Sequence, residues 1–297
     1  MLTRRTVVVG AAAFVGSSAL LAACGDSAAD SNSSPATATP SSASAPPPQQ
    51  FVLVQRYTNT SLAPGDIRLA VSLAGADGSL LTTGPDVLTG VIRDEKGAEV
   101  AAIAAERRGL GQAVPYWSIT ATIAKSGLYD LTVDGAIGDP TPFLLFDPGE
   151  IAIPSVGAAL PGFDSPTTSD ARGVDPICTR TDGPCPFHEV TLNEALAAGK
   201  PVVYIVGTPA HCSTGTCAPG LEFLIEASKP YVDTVTFVHA EVYANPEGTE
   251  LAPAVNALAL DYEPLIWVTD AAGIVTSRID IVWDADELTA LLAAALS

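Results

Sequence analysis

Basic residues are scarce in this sequence. Lys and Arg together number 14 against 33 Asp and Glu, giving a net charge of −19. A field of that sign repels phosphate backbones and anionic headgroups, which excludes nucleic acid and, apart from a covalent anchor, acidic membrane surfaces as partners. Cysteine is equally sparse and unevenly placed. None lies between Cys24 and Cys178, so the central run can hold neither a disulfide nor a thiolate site. Cys178, Cys185, Cys212 and Cys217 all fall within the last 120 residues, as two close pairs.

The N-terminus explains the fifth cysteine. Arg4 and Arg5 are followed by an uncharged stretch, Thr6 to Ala23, that ends in Leu21-Ala22-Ala23-Cys24. A short positive segment, an apolar segment and a small-residue cleavage site are the layout of a secretory signal. Eighteen uncharged residues nearly span a bilayer, but their small side chains and Gly make a poor permanent span. The segment resembles the signal of bacterial lipoproteins, which implies cleavage before Cys24 and a diacylglyceryl group on that cysteine. Two acyl chains give the stable attachment that one does not. Thr3-Arg4-Arg5-Thr6-Val7-Val8 also resembles the twin-arginine export signal. The chain is therefore expected at the outer face of the cell membrane, where disulfides persist. Processing would leave 12 basic residues against 33 acidic ones, a net of −21.

With residues 1–23 as signal, residues 24–50 read as a tether. They are almost entirely Ser, Ala, Thr and Pro, end in Pro46-Pro47-Pro48, and have nothing from which to build a core. From Phe51 to about residue 148, turn signals recur every eight to twelve residues, among them Pro64-Gly65-Asp66, Asp77-Gly78, Lys96-Gly97 and Ser126-Gly127. Between them lie alternating stretches such as Ile67 to Leu73, Val87 to Ile92, Tyr116 to Ile123 and Leu128 to Val133. About seven short strands with no convincing helix predict an antiparallel sandwich. Trp117, and Tyr129 within Gly127-Leu128-Tyr129, resemble core and corner residues of immunoglobulin-like domains, although the core disulfide of that family is absent.

Residues 149–189 read as a connecting segment rich in Pro and Asp. From Val190 the pattern changes. Thr191-Leu192-Asn193-Glu194 is a capping box that opens a helix ending at Gly199. A buried strand, Val202 to Val206, precedes the Cys212 loop, and Leu221 to Ser228 reads as helix. There follow a strand (Val235 to Val242), a helix (Leu251 to Leu260), two strands (Leu265 to Val268, Ile274 to Ile279) and a closing helix (Asp286 to Leu296). This order, with a cysteine pair between a strand and its helix and Glu263-Pro264 before a later strand, resembles thioredoxin-like extracytoplasmic proteins over residues 190–297. The expected fold class is two domains: an N-terminal all-β immunoglobulin-like sandwich and a C-terminal α/β thioredoxin-like fold.

The chemistry expected of this pattern is thiol–disulfide exchange with exported proteins or small thiols, with no cofactor. A thiolate is needed near neutral pH, and the junction of strand and helix supplies amides and a positive dipole end that stabilise it. Cys212 is the expected nucleophile and Cys217 the resolving thiol. Four residues separate them where thioredoxin-like enzymes have two. His211 stands where that family has an aromatic, and an imidazole there can stabilise a thiolate or carry a proton. The resemblance implies that Pro264 is cis and shapes the substrate groove.

Two alternatives remain open. One is a copper-handling module using Cys212, Cys217 and His239, since thiolates and imidazole suit copper. The other is a non-catalytic interaction protein with structural disulfides. His239 and Glu241 share one face of their strand by its period of two. Cys178 and Cys185 bracket a short irregular loop and are expected to form a structural disulfide. Zinc at Cys178, Cys185 and His188 lacks a ligand, and His188 reads as a loop or capping residue.

Overall fold

The computed structural model describes residues 50–297, so the signal segment, Cys24 and the tether before Gln50 lie outside the described residues. No described helix is long and apolar enough to cross a membrane.

The first seven elements along the chain are strands: β1 (Val52–Gln55), β2 (Gly65–Ala74), β3 (Val87–Asp94), β4 (Glu99–Arg108), β5 (Tyr116–Ile123), β6 (Gly127–Val133) and β7 (Thr141–Leu145). Alternation decides their faces. Ile67, Leu69, Val71 and Leu73 of β2 point into a core that also holds Trp117, Leu131 and Phe143. Trp117 is fully buried and its indole N–H donates to the Pro85 carbonyl. The Tyr129 hydroxyl donates back to the Lys125 carbonyl, as expected of a corner tyrosine.

The immunoglobulin-like expectation is corrected in its architecture. The strands make one continuous antiparallel sheet in the order β1-β2-β5-β4-β3-β6-β7, rather than two separate sheets. β4 is the reason. Its first part pairs with β3, and its last two residues, Arg107 and Arg108, cross to Trp117 and Tyr116 of β5. A bridge between Phe51 and Ala136 draws the β1 edge toward the end of β6, so the sheet curls round its own core.

The second part contains α1 (Leu192–Ala197), β8 (Val202–Val206), α2 (Cys217–Ser228), β9 (Thr236–Ala240), α3 (Pro253–Ala257), β10 (Leu265–Thr269), β11 (Val275–Asp280) and α4 (Ala285–Ala295). The capping box holds: the Thr191 hydroxyl accepts from the Glu194 N–H and the Glu194 carboxylate accepts from the Thr191 N–H. The sheet runs β11-β10-β8-β9, with only β8 and β9 parallel.

The α/β thioredoxin-like class expected for residues 190–297 is overturned. The chain is mostly β, and its helices have only six, twelve, five and eleven residues. One face of the four-stranded sheet is covered largely by irregular chain, with Ile153 and Leu160 of the connecting segment beside Leu192 and Leu258. Sequence order alone could not show that coil would do this work.

The described residues, 50–297, gather into one compact unit. The outward face of β2 meets α4, where Glu287 accepts from Arg68 (Nε at 2.9 Å, Nη2 at 2.8 Å) and from the hydroxyls of Tyr116 and Ser118. Burial pushes the Glu287 carboxyl up, but the Arg68 bonds outweigh it and hold it at about 2. A charge so paired is tolerated where an isolated one would not be.

Candidate functional site

Strand β8 ends at Val206, and the chain then loops through Cys212 before α2 begins at Cys217. Cys212 and Cys217 form a disulfide, with Cα atoms 5.9 Å apart. Cys212 is half-buried and Cys217 is buried. The amide N–H of Cys217, the first helical residue, donates to Cys212 Sγ at 3.2 Å. The Thr214 hydroxyl lies 3.1 Å from the same sulfur. These are the donors that a thiolate at Cys212 would need once the bond is reduced. Arg56 of the β-rich part donates to the Thr214 carbonyl at 3.2 Å and so fixes the loop.

Cys217 faces a different group. Its Sγ is 3.4 Å from Glu263 Oε2, which also accepts from the Thr208 N–H at 2.6 Å. Burial raises the Glu263 carboxyl to about 7, against the opposing Thr208 bond. Glu263 is a residue that sequence reasoning passed over. It was visible only as the neighbour of Pro264, and its burial depends on tertiary packing. The Glu263–Pro264 peptide is cis, as the resemblance implied.

Gly207 lets these groups meet: a Cβ there would stand 3.1 Å from Pro264 Cβ and 3.6 Å from Cys217 Sγ. Gly220 does the same for α2, where a Cβ would approach the Trp283 ring at 2.8 Å. His211 is turned away from the sulfurs in its hydrogen bonding. Its Nε2 contacts the Pro246 carbonyl at 2.9 Å and its ring packs edge-on to Tyr243.

The other cysteine pair corrects the sequence reading. Cys178 and Cys185 are free thiols rather than a disulfide. Both are buried, together with His188 and His239, and none of the four is more than 5% exposed. Their ligand atoms lie within 4.8 Å of one another. His239 Nδ1 is the hub, 3.4 Å from Cys185 Sγ, 3.7 Å from Cys178 Sγ and 3.1 Å from His188 Nε2. His188 does lie in irregular chain, as expected, but it caps no helix and its ring is buried in this cluster. Among the described residues its Nδ1 is buried without a hydrogen-bond partner.

His239 also leaves the copper set expected with Cys212 and Cys217. Among the described residues, the group around that pair is completed by Glu263, not by His239. The strand period did place His239 and Glu241 on one side: the Glu241 carboxylate accepts from the Thr179 N–H at 2.6 Å, next to Cys178.

The two buried thiols are pushed in opposite directions. Cys178 is pushed down, first by the hydrogen bond from Cys185 and then by His188 and His239, while the same bond and burial push Cys185 up. Burial lowers His188. Burial also opposes charge on His239, but its bond to Cys178 raises it overall.

No protein-family model matches the chain, and no characterised protein matches it by sequence. Among solved structures it is similar to a thiol:disulfide interchange protein of the thioredoxin family from Chlorobium tepidum TLS, at 15% identity and a TM-score of 0.34, over 48% of this chain and 99% of that one. It is also similar to the Lin-41 filamin domain, at 19% identity and a TM-score of 0.24, over 35% of this chain and 98% of that one. At TM-scores this low neither likeness carries an argument about mechanism, which rests on the chain's own residues.

Proposed function

We propose that the protein is a thiol–disulfide exchange protein, held at the outer face of the membrane by lipid on Cys24, that acts on exported proteins or small thiols. The observation that carries this reading is the asymmetry around Cys212–Cys217. One sulfur is half-buried and faces an amide and a hydroxyl. The other is buried beside a carboxyl that titrates near neutral pH.

In the reduced pair, the Cys212 thiolate attacks a partner disulfide. The partner S–S bond breaks, one partner thiolate leaves, and a mixed disulfide forms at Cys212. Cys217 then gives its proton to the Glu263 carboxylate and attacks Cys212 Sγ. The second partner thiolate leaves and the Cys212–Cys217 bond closes. Two electrons pass to the partner, and Glu263 returns the proton to a departing thiolate. The same steps run backward when a dithiol meets the oxidised pair. Pro264, packed against Gly207 beside Cys217, shapes the groove in which the partner sulfur would lie. The lipid anchor rests on Leu21-Ala22-Ala23-Cys24, and intact-mass measurement of the membrane form reads it directly.

The test follows the alkylated cysteines of the full chain over time with a disulfide substrate. Cys212→Ser should abolish exchange, whereas Cys217→Ser should accumulate mixed disulfides through Cys212. A wild-type pair that resists strong dithiols would make the bond structural and end this reading.

A further inference from the structure

The geometry points to a second site, independent of the exchange pair: a closed tetrahedral zinc(II) centre formed by Cys178, Cys185, His188 and His239. Zinc held by two thiolates and two imidazoles has bonds of about 2.3 Å and 2.0–2.1 Å. A tetrahedron with those bonds has sulfur–nitrogen edges of about 3.5 Å and a nitrogen–nitrogen edge of about 3.3 Å. The protein holds sulfur–nitrogen distances of 3.4 and 3.7 Å and a nitrogen–nitrogen distance of 3.1 Å. Hydrogen bonding does not explain this convergence, because one ring nitrogen offers a single hydrogen or a single lone pair and here meets three polar atoms. A single ion at the centre satisfies all four.

The surrounding bonds fit ligands rather than spare side chains. His239 Nε2 is 2.9 Å from the Gly207 carbonyl, which can only accept, so Nε2 carries a hydrogen and Nδ1 is the atom left for a metal. A backbone carbonyl on the far ring nitrogen is the usual orienting partner of a ligating histidine. Each stretch bearing a ligand is also pinned through its backbone. The His239 N–H donates to the Phe187 carbonyl, the Thr168 N–H to the His188 carbonyl, and the Thr179 N–H to Glu241.

Charge favours the ion as well. Two thiolates, two neutral imidazoles and Zn²⁺ sum to zero, which suits a buried site better than an unneutralised thiolate. Soft thiolates also admit Cu(I), but four ligands of mixed S and N character in closed tetrahedral array are a structural zinc set. The ion would tie the irregular connecting segment to strand β9.

The experiment uses the full chain with its Cys212–Cys217 disulfide intact, which removes those sulfurs as ligands. Titration with zinc(II) should reach about one ion per chain. Cobalt(II) in its place should give the intense visible bands of a tetrahedral site and a thiolate charge-transfer band. His239→Ala and His188→Ala should each weaken zinc on the order of a hundredfold, at least the upper end of what loss of an outer-shell partner costs. Where such a variant does not fold, the wild type decides: zinc should slow alkylation of Cys178 and Cys185 by at least about tenfold relative to chelated protein. Failure to bind zinc with both thiols reduced, an octahedral cobalt spectrum, a Cys178–Cys185 disulfide in the native protein, or binding of Cu(I) alone would each overturn the assignment.

Discussion

The two cysteine pairs belong to one compact unit, yet their surroundings differ in symmetry and in access to solvent. Around Cys212 and Cys217 the groups differ on the two sides: an amide and a hydroxyl on the half-buried sulfur, a carboxyl on the buried one. Around Cys178 and Cys185 the groups are alike, two imidazoles enclosed with both thiols away from solvent. Asymmetry and access suit a sulfur that must be attacked and released. Closure and symmetry suit sulfurs that hold something in place. The lowered thiol of Cys178 does not by itself make it reactive, because that sulfur is buried. Reactivity needs both a thiolate and a path to it.

The two pairs should differ most when the whole chain is reduced, stripped of metal with a chelator and followed for alkylation at each cysteine. Cys212 should react first. Cys178 and Cys185 should react only when their segment opens, which at about 4 kcal/mol of opening free energy makes them roughly 10³-fold slower. In denaturant the rates should converge to within about tenfold, as unfolding removes the burial. Comparable native rates would mean that the Cys178–Cys185 segment is not closed. Cys217 reacting before Cys212 would reverse the roles assigned to the exchange pair.

A smaller effect separates the carboxyl of one site from the imidazoles of the other. Burial raises Glu263 from its ordinary carboxyl range to about 7. Between these values the folded protein holds a proton that the unfolded chain has lost. Glu263 therefore favours folding below pH ~4.5 and loses that advantage as pH rises through ~7. After allowance for solvent around a partly exposed group, the loss is about 2 kcal/mol at pH 8. Glu263→Gln keeps an acceptor for the Thr208 N–H but cannot ionise. It should be about 2 kcal/mol more stable than the wild type at pH 8 and indistinguishable at pH 4. The same variant should lose any exchange-rate inflection near neutral pH. Denaturant melts at the two pH values and a pH–rate profile check both, and an inflection that persists would remove Glu263 as the proton carrier.

Local signals reached parts of both sites and missed what joins them. The Thr191–Glu194 capping box, the strand before Cys212 and the helix after it are written in short-range pattern, and they stand in the structure. So does Glu263-Pro264 beside the exchange pair. The buried set was legible only in fragments, because Cys178 and His239 are 61 residues apart and nothing in strand period says which loop a histidine will face. A disulfide was the economical reading of two nearby cysteines, whereas the structure leaves both free and sets them against His188 and His239. The fold class failed for a related reason. Helices and strands were placed in order, but their lengths, the coil that covers one sheet face and the two-residue hand-over from β4 to β5 are tertiary outcomes.

The smallest predicted effect concerns a single hydroxyl and tests whether the loop stabilises Cys212 as argued. The Thr216 hydroxyl donates to the Ile281 carbonyl, which can only accept, so toward Thr214 it is an acceptor. The Thr214 hydrogen thus has two places to go, Thr216 Oγ1 or Cys212 Sγ. A neutral or disulfide sulfur competes poorly for it, whereas a thiolate draws it. A hydrogen bond to a charged group contributes about 1.5–3 kcal/mol, and the bond given up to Thr216 about 1, leaving roughly 1 kcal/mol for the anion. Thr214→Val removes that preference while keeping the shape of the side chain. Cys212 should then titrate higher, and its alkylation rate below that pKa should fall about fivefold. The amide of Cys217 remains, so exchange should persist at a reduced rate rather than vanish. Ultraviolet titration of the thiolate in reduced protein, with Cys178 and Cys185 held by zinc, reads the shift directly. An unchanged titration would show that the Cys217 amide alone sets the Cys212 thiolate.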